Sequence, residues 1–374
     1  MNIQYHSQLC SNDNVNGFEE FNNLDWELMI NGRKLLRNSI RVTGEVVITP
    51  SSTVATQLAT AECAVNSKVG HHSYFDSWSC ESMAGVLETL NSYPRYVNMS
   101  TSSSHGANDF FNAVSNAEGK SFCNRVGKTV LQPTMSANAI NKAQFLTPVN
   151  FSIRPQICFN SMRGGDWSFD QRGYIRISCN LARNTNALFG SGTDGGTKYV
   201  LKNVRLEFQT VPEDGKKEKI IAESYVLIKS VVNSSLHNLS AKVASSACHG
   251  VAVSYLRQEN ENAIKQDSLK LDILPAPDSI TYLFNSSTQK YLTYSITNRN
   301  EMVSLGVQAL QGDHHNISKG DNLSSNQGYL TGLPFGEVLD LSNEKVSIQT
   351  ATSNIGINLQ PYNQYAYFLT ILPL

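Results

Sequence analysis

The sequence predicts an all-β chain made of two consecutive sandwich-like halves, with short helices and long loops inserted. Three observations carry this reading. First, the stretch from Tyr199 to Val232 holds two apolar, alternating runs separated by the charged turn Pro212-Glu213-Asp214-Gly215-Lys216-Lys217. Val204, Leu206 and Phe208 alternate with Arg205, Glu207 and Gln209, the period of a strand with one dry and one wet face. Second, short runs of this kind, bounded by turn formers, recur on both sides of that turn. Third, 374 residues at 40% apolar and 16% charged, with many Asn, Ser and Thr, suffice for two domains of ordinary size and do not suit a disordered chain.

Residues Met1 to Asn23 are polar and are expected to form an arm. Asn31-Gly32 between Trp26–Ile30 and Arg33–Leu36 predicts a hairpin, because both turn positions tolerate positive φ. Ile40, Val42, Val46 and Ile48 mark a strand that Pro50 ends. From Ser51 to Thr134 the alternation fades. Met83, Val86, Leu87 and Leu90 lie at helical spacing and Pro94 closes that helix. Phe110, Phe111 and Val114 suggest another, so the region is expected to be a large insertion of helices and loops. Strands return at Phe151–Arg154, Ile157–Phe159 and Tyr174–Leu181.

The second half opens with Ile220–Val232, followed by Gly250–Leu256, Leu269–Ile273, and the pair Ile280–Phe284 and Tyr291–Ile296. Met302, Leu305 and Ala309 predict one helix, Gln311–Gln327 a polar loop, and Ser342-Asn343-Glu344 a hairpin turn. Tyr365–Leu372 is a last, strongly apolar strand. The openings of the halves echo each other: a basic doublet, Arg33-Lys34 or Lys216-Lys217, precedes a strand ending in Thr49-Pro50-Ser51-Ser52 or Val232-Asn233-Ser234-Ser235.

Net charge is −1, which gives no global attraction to nucleic acid. The basic doublets are expected to be solvated turn residues. The seven cysteines are odd in number and contain no CxxC, which argues against a disulfide framework and a structural zinc site. Cys179 alternates with Ile175 and Ile177 and reads as core. The N-terminus carries no basic stretch followed by an apolar one, and no apolar run approaches ~20 residues, so neither a signal peptide nor a membrane span is expected.

Each chemical motif has a plainer explanation. Gly190, Gly192 and Gly195 fit GxGxxG, but a strand follows where a dinucleotide site needs a helix. His71-His72 and His314-His315 are adjacent, so their side chains diverge rather than share a metal; they read as surface loop histidines. Cys248-His249 fails as a catalytic pair for the same reason. Asp166-Trp167, after Arg163-Gly164-Gly165, is the best lectin-like feature, and it reads better as a loop anchor. No catalytic residue, cofactor site or metal site is assigned, and the chain is not expected to be an enzyme.

The residues Asn38-Ser39-Ile40-Arg41-Val42-Thr43-Gly44-Glu45-Val46, the stretch Tyr93-Pro94-Arg95-Tyr96, and the runs Tyr199–Thr210 and Ile220–Val232 resemble the double jelly-roll major capsid proteins of tailless icosahedral viruses. That group includes PRD1-like phages, adenovirus hexon, virophages and polinton-like viruses. The resemblance implies an arm over 1–23, a first eight-stranded jelly roll over 24–212 with its insertion, and a second over 213–374. It implies a homotrimeric, pseudo-hexagonal capsomer tiling an icosahedral shell. Its implied partners are its own copies, neighbouring capsomers, penton and minor capsid proteins and, as a further possible neighbour, an internal membrane, with no sequence-specific nucleic acid. The long loops would make trimer contacts or outer towers, and the arm would lie toward the capsid interior or a neighbour. The place of action would be the virion, assembled inside the host cell and not secreted. The other class considered is a carbohydrate- or receptor-binding sandwich, a spike or lectin, with exposed aromatics near Trp167 or Trp78.

Overall fold

The structure is a computed structural model that describes residues 2–12, 14, 16–49, 63–104, 113–120, 128–130, 148–190, 197–232, 234–261, 266–271, 278–284, 292–311, 330–343, 345–351 and 362–374. The first sandwich contains β1 (Gln4–Leu9), β2 (Asn23–Leu28), β3 (Arg33–Leu35), β4 (Arg41–Thr49), β5 (Ala64–Asn66), β6 (Phe75–Ser82), β7 (Gly85–Leu90), β8 (Lys128–Val130), β9 (Val149–Ile153), β10 (Trp167–Ser168), β11 (Ile175–Leu181) and β12 (Lys198–Pro212). One sheet runs β10-β3-β12-β4-β9 with β1 added on β12, and the facing sheet runs β2-β11-β6-β7. β5 and β8 form a separate ribbon. Between the sheets lie Trp26, Trp78, Ile177, Tyr199 and Leu206, all buried.

The second sandwich contains β13 (Ile221–Val232), β14 (Leu236–Lys242), β15 (Cys248–Arg257), β16 (Ser279–Phe284), β17 (Leu292–Ile296), β18 (Leu330–Leu339), β19 (Lys345–Ala351) and β20 (Tyr362–Pro373). Its sheets are β13-β20-β15-β18 and β14-β19-β16-β17. The first strand therefore pairs with the last, and the second with the last but one, which is jelly-roll wiring. Val253, Ile280, Tyr282, Ile348 and Phe368 fill its core.

Several expectations hold. β12 buries Val204, Leu206 and Phe208 and bulges after Lys202, where Asn203 takes a φ of 53° that Asn tolerates better than most residues. β16 and β17 form the expected antiparallel pair. The helix expected from Met302, Leu305 and Ala309 is α3 (Arg299–Gln311), after α1 (Tyr93–Ser104) and α2 (Ala113–Ala117). Cys179 is core.

Others are corrected. The N-terminal stretch is not a free arm: β1 pairs antiparallel with β12, and Cys10 and Phe18 are buried in the first core. Asn31-Gly32 makes no hairpin, because β2 and β3 lie in different sheets. The turn crosses between them, with Gly32 at φ 71° donating its N–H to Asp170.

The region expected to be an insertion supplies two sheet strands, β6 and β7. Its alternation was hidden because the inward side chains of β7 are Glu88 and Leu90, while Met83 and Val86 point to solvent. Pro94 opens a helix rather than closing one, since α1 begins at Tyr93 and proline suits the first helical turn.

Ile157–Phe159 is not a strand but leads into a single 3-10 turn, Cys158–Asn160. Leu269–Leu271 forms no strand either; its carbonyls are held by side chains of α1. No hairpin forms at the turn expected over 342–344, of which Glu344 lies outside the described residues, because the flanking strands β18 and β19 belong to opposite sheets. The charged turn between β12 and β13 is, as read from the sequence, the crossing from one sandwich to the other. Residues 50–62, Phe110, Phe111 and 312–327 lie outside the described residues.

Candidate functional site

The most heavily built polar region is the seam between the two sandwiches. The run Ser161–Arg163, which follows the Cys158–Asn160 turn, receives the start of β13. Arg163 and Ile221 exchange backbone hydrogen bonds of 2.7 and 3.1 Å. Ser161 Oγ donates to Glu223 O and accepts from Glu223 N–H, each at 3.0 Å, and Arg163 pairs with the Glu223 carboxylate. The backbone N–H and C=O of Glu223 are thus satisfied from the other sandwich.

α1 is the second clamp. Arg95 donates to Lys270 O at 2.7 Å and Ser268 O at 3.0 Å, and its guanidinium lies 4.6 Å from the Tyr365 ring centroid. Asn98 donates to Leu269 O, and Asn66 to Asp267 at 2.6 Å. Tyr96 stacks on Tyr225 of β13, which meets Tyr367 of β20 edge-on. The first core therefore continues without a break into Tyr225, Leu256, Val307 and Tyr367 of the second half.

The charged turn is the third clamp. Lys34, expected to be solvated, is 3% exposed. Its ammonium pairs with Asp214 and lies 3.7 Å from both Glu213 and Glu218. Burial alone would lower its pKa, but the Asp214 hydrogen bond and the surrounding carboxylates raise it. The partner doublet, Lys216-Lys217, is exposed as expected.

His71 and His72 are not surface histidines: they are 3% and 0% exposed. His72 Nδ1 lies 2.7 Å from the Tyr93 hydroxyl, its Nε2 lies 3.6 Å from Glu118, and Lys120 pairs with Glu118 at 3.0 Å. Gly70 and Gly119 allow this fit. A Cβ at Gly70 would meet Glu118 O at 2.1 Å, and one at Gly119 the His71 ring at 2.7 Å. Burial pushes His71 down to about 4 and also lowers His72.

Of the other motifs, Gly190 precedes β12 and the remaining glycines of its GxGxxG lie outside the described residues, as do His314 and His315. Cys248 is buried, its thiol directed at Gly250 O, beside a bulge that follows it. Trp167 and Trp78 are 2% and 1% exposed. Trp167 donates to Gly173 O at 3.2 Å and meets Phe159 edge-on, so it anchors its loop. Among the described residues, the buried side chains of Cys80, Glu88 and Cys158 bring two thiols and a carboxylate close enough together to hold a metal ion.

No family model matches the sequence, and no curated protein matches it. Solved structures do. The Faustovirus major capsid protein is 9% identical, with a TM-score of 0.64 over 100% of this chain and 90% of that one. The VP54 protein of PBCV-1 is 10% identical, with a TM-score of 0.60 over 100% and 95%. A chain of the Sputnik virophage is 11% identical, with a TM-score of 0.58 over 100% and 85%. At this identity the likeness speaks to fold, and it runs the full length of both sandwiches. The chain has the double jelly-roll fold of viral major capsid proteins.

Proposed function

We propose that this chain is a viral major capsid protein, a structural and non-enzymatic subunit of an icosahedral shell. The observation that carries this is the end-to-end likeness to the capsid proteins of Faustovirus and PBCV-1, which covers 100% of the chain. Three copies would place six similar sandwiches in a ring, so a C3 trimer offers neighbours nearly six-fold edges. Such tiling needs the two sandwiches of each copy held at a fixed angle. The seam supplies that through Lys34, Arg95, Arg163 and the stacked tyrosines. Neighbouring capsomers, with penton and minor capsid proteins, are the expected partners, and the virion is the expected location. Among the described residues no helix is long and apolar enough to cross a membrane. The lectin-like alternative rested on Trp167 and Trp78, which are buried.

The test is the solution mass of the purified chain, followed by imaging of the main peak. Three chains of 41.2 kDa give about 124 kDa. A stable trimer with a hexagonal outline is expected. A monodisperse monomer at capsid-like concentrations would overturn the proposal.

A further inference from the structure

Cys80 on β6 and Glu88 on β7 stand directly opposite each other in register. Cys158 reaches them from the turn before the seam. Two thiol sulfurs and a carboxylate oxygen lie within 4.8 Å of one another, and the three residues are 0%, 4% and 0% exposed. We propose that they form a structural site for a zinc-class divalent cation, bound by two thiolates and one carboxylate.

Chemistry and geometry both support this. Thiolates and carboxylate belong to the donor set of zinc, and structural zinc sites are four-coordinate and tetrahedral, so these three donors leave one position to fill. Two Zn–S bonds of ~2.3 Å at a tetrahedral angle put the sulfurs ~3.8 Å apart, so the observed cluster closes on an ion with small side-chain movements. One Glu88 oxygen accepts the Cys158 N–H at 2.7 Å, an outer contact of the kind that orients a ligand. Its other oxygen, Oε1, is buried and meets no donor in hydrogen-bond geometry, and the Ser224 hydroxyl and the Cys80 and Cys158 thiols lie beside the carboxylate.

A buried carboxylate needs a cation or a proton, and among the described residues no Lys or Arg pairs with Glu88. An ion bound here would displace the two thiol protons, and the carboxyl proton where present, to solvent. No electron is transferred. The fourth position falls to water or to the Ser224 hydroxyl, which lies beside Glu88. The absence of a CxxC could not reveal this set, because its members meet only through the pairing of β6 and β7 and the later turn. The ion would fasten that hairpin to the turn whose following residues, Ser161 and Arg163, hold β13.

The test uses the full chain, purified without chelator. About one zinc per chain, retained through dialysis, is expected. Cobalt substituted for zinc should show thiolate-to-metal charge transfer in the near ultraviolet. Cys80→Ser, Cys158→Ser and Glu88→Gln each remove a direct ligand, so each should weaken zinc binding by at least the ~10–100-fold typical of losing an outer-shell partner. The wild-type metal count and cobalt spectrum need no variant, so a misfolded mutant does not blunt the test. Less than a tenth of an ion per chain, both as purified and after refolding with cobalt, would overturn the proposal. So would a Cys80–Cys158 disulfide in the unreduced protein.

Discussion

Tyr96 of α1 and Tyr225 of β13 stack across the seam, their ring centroids 4.0 Å apart and their planes 26° from parallel. Tyr225 is 2% exposed and its hydroxyl donates to Asn91 O at 3.4 Å. The pair joins the two sandwiches through side chains whose apolar area is removed from water only when both are folded. Truncating Tyr225 to alanine should therefore cost about 3–5 kcal/mol, the range for a buried aromatic. It should also uncouple the sandwiches. Calorimetry should show one transition for the wild type and two for Tyr225→Ala; a single, merely lowered transition would mean that the stack adds stability without coupling.

The Lys34 cluster ties the charged turn to β3. Its partner Asp214 is 180 positions away in sequence and half exposed, while Lys34 itself is buried. Because the carboxylates reach water when the lysine is lost, Lys34→Ala should cost about 1.5–3 kcal/mol, the range for a hydrogen bond to a charged group. The penalty expected for a fully buried orphan charge should not appear. Urea denaturation of Lys34→Ala and Lys34→Met measures this, and a change below about 0.5 kcal/mol would assign the cluster to the weak surface class.

Which parts of this molecule are legible in its sequence follows from which side chains face inward. β4 and β12 alternate cleanly because Ile40, Val42, Val46, Ile48, Val204 and Leu206 are apolar and all buried. β7 is not legible, because Glu88 occupies an inward position, where it accepts a backbone N–H from the later turn. His71, His72 and Lys34 look like surface residues for the same reason. The burial of His72 and Lys34 is compensated by Tyr93, Glu118 and Asp214, partners that adjacent sequence does not reveal, while His71 meets the Tyr74 hydroxyl. A jelly roll sends most consecutive strands to opposite sheets, with pairs such as β6–β7 and β16–β17 as exceptions, so a good turn such as Asn31-Gly32 need not join paired strands.

The buried histidines predict an acid sensitivity. His71 has a pKa of about 6.5 when unfolded, and burial lowers it to about 4 in the fold. The unfolded chain thus binds the proton more tightly. Stability is fully present above about 6.5 and is lost as pH falls from there toward about 4. At pH 5 the His71 contribution alone should cost about 2 kcal/mol. Burial would raise the Glu118 pKa, but the His72 hydrogen bond and Lys120 hold it low, so its loss comes only at more acid pH. Denaturation midpoints between pH 7.5 and 5 should fall more steeply for the wild type than for His71→Gln. Parallel curves would remove His71 as the cause.

Trp167 separates a structural loop anchor from a ligand platform. Its indole N–H is bound to Gly173 O, its ring meets Phe159 at 87°, and Arg172 lies 5.4 Å from its centroid. Trp167→Ala should lower stability by about 3–5 kcal/mol and leave any glycan binding by the folded protein unchanged. Glycan binding that disappears from a Trp167→Ala protein of unchanged stability would restore the lectin-like reading.

β1 makes the last prediction. It lies along β12 with Gln4 opposite Thr210 and Leu9 opposite Arg205. His6 stacks on Phe208 at 4.9 Å and hydrogen-bonds Thr210 at 2.9 Å. The strand is mostly exposed on its own account, so its contribution is to cover a sheet edge that would otherwise invite another chain. Deleting residues 2–9 should leave both cores folded, since no β1 side chain belongs to either core cluster. Amides of Arg205–Thr210 that β1 covers should then exchange at least about tenfold faster, while those of β20 stay protected. The truncated protein should also self-associate through the bared edge. Unchanged exchange at Arg205–Thr210 would mean that β1 is displaced in solution, and the N-terminus would then be free to act as the arm that the sequence suggested.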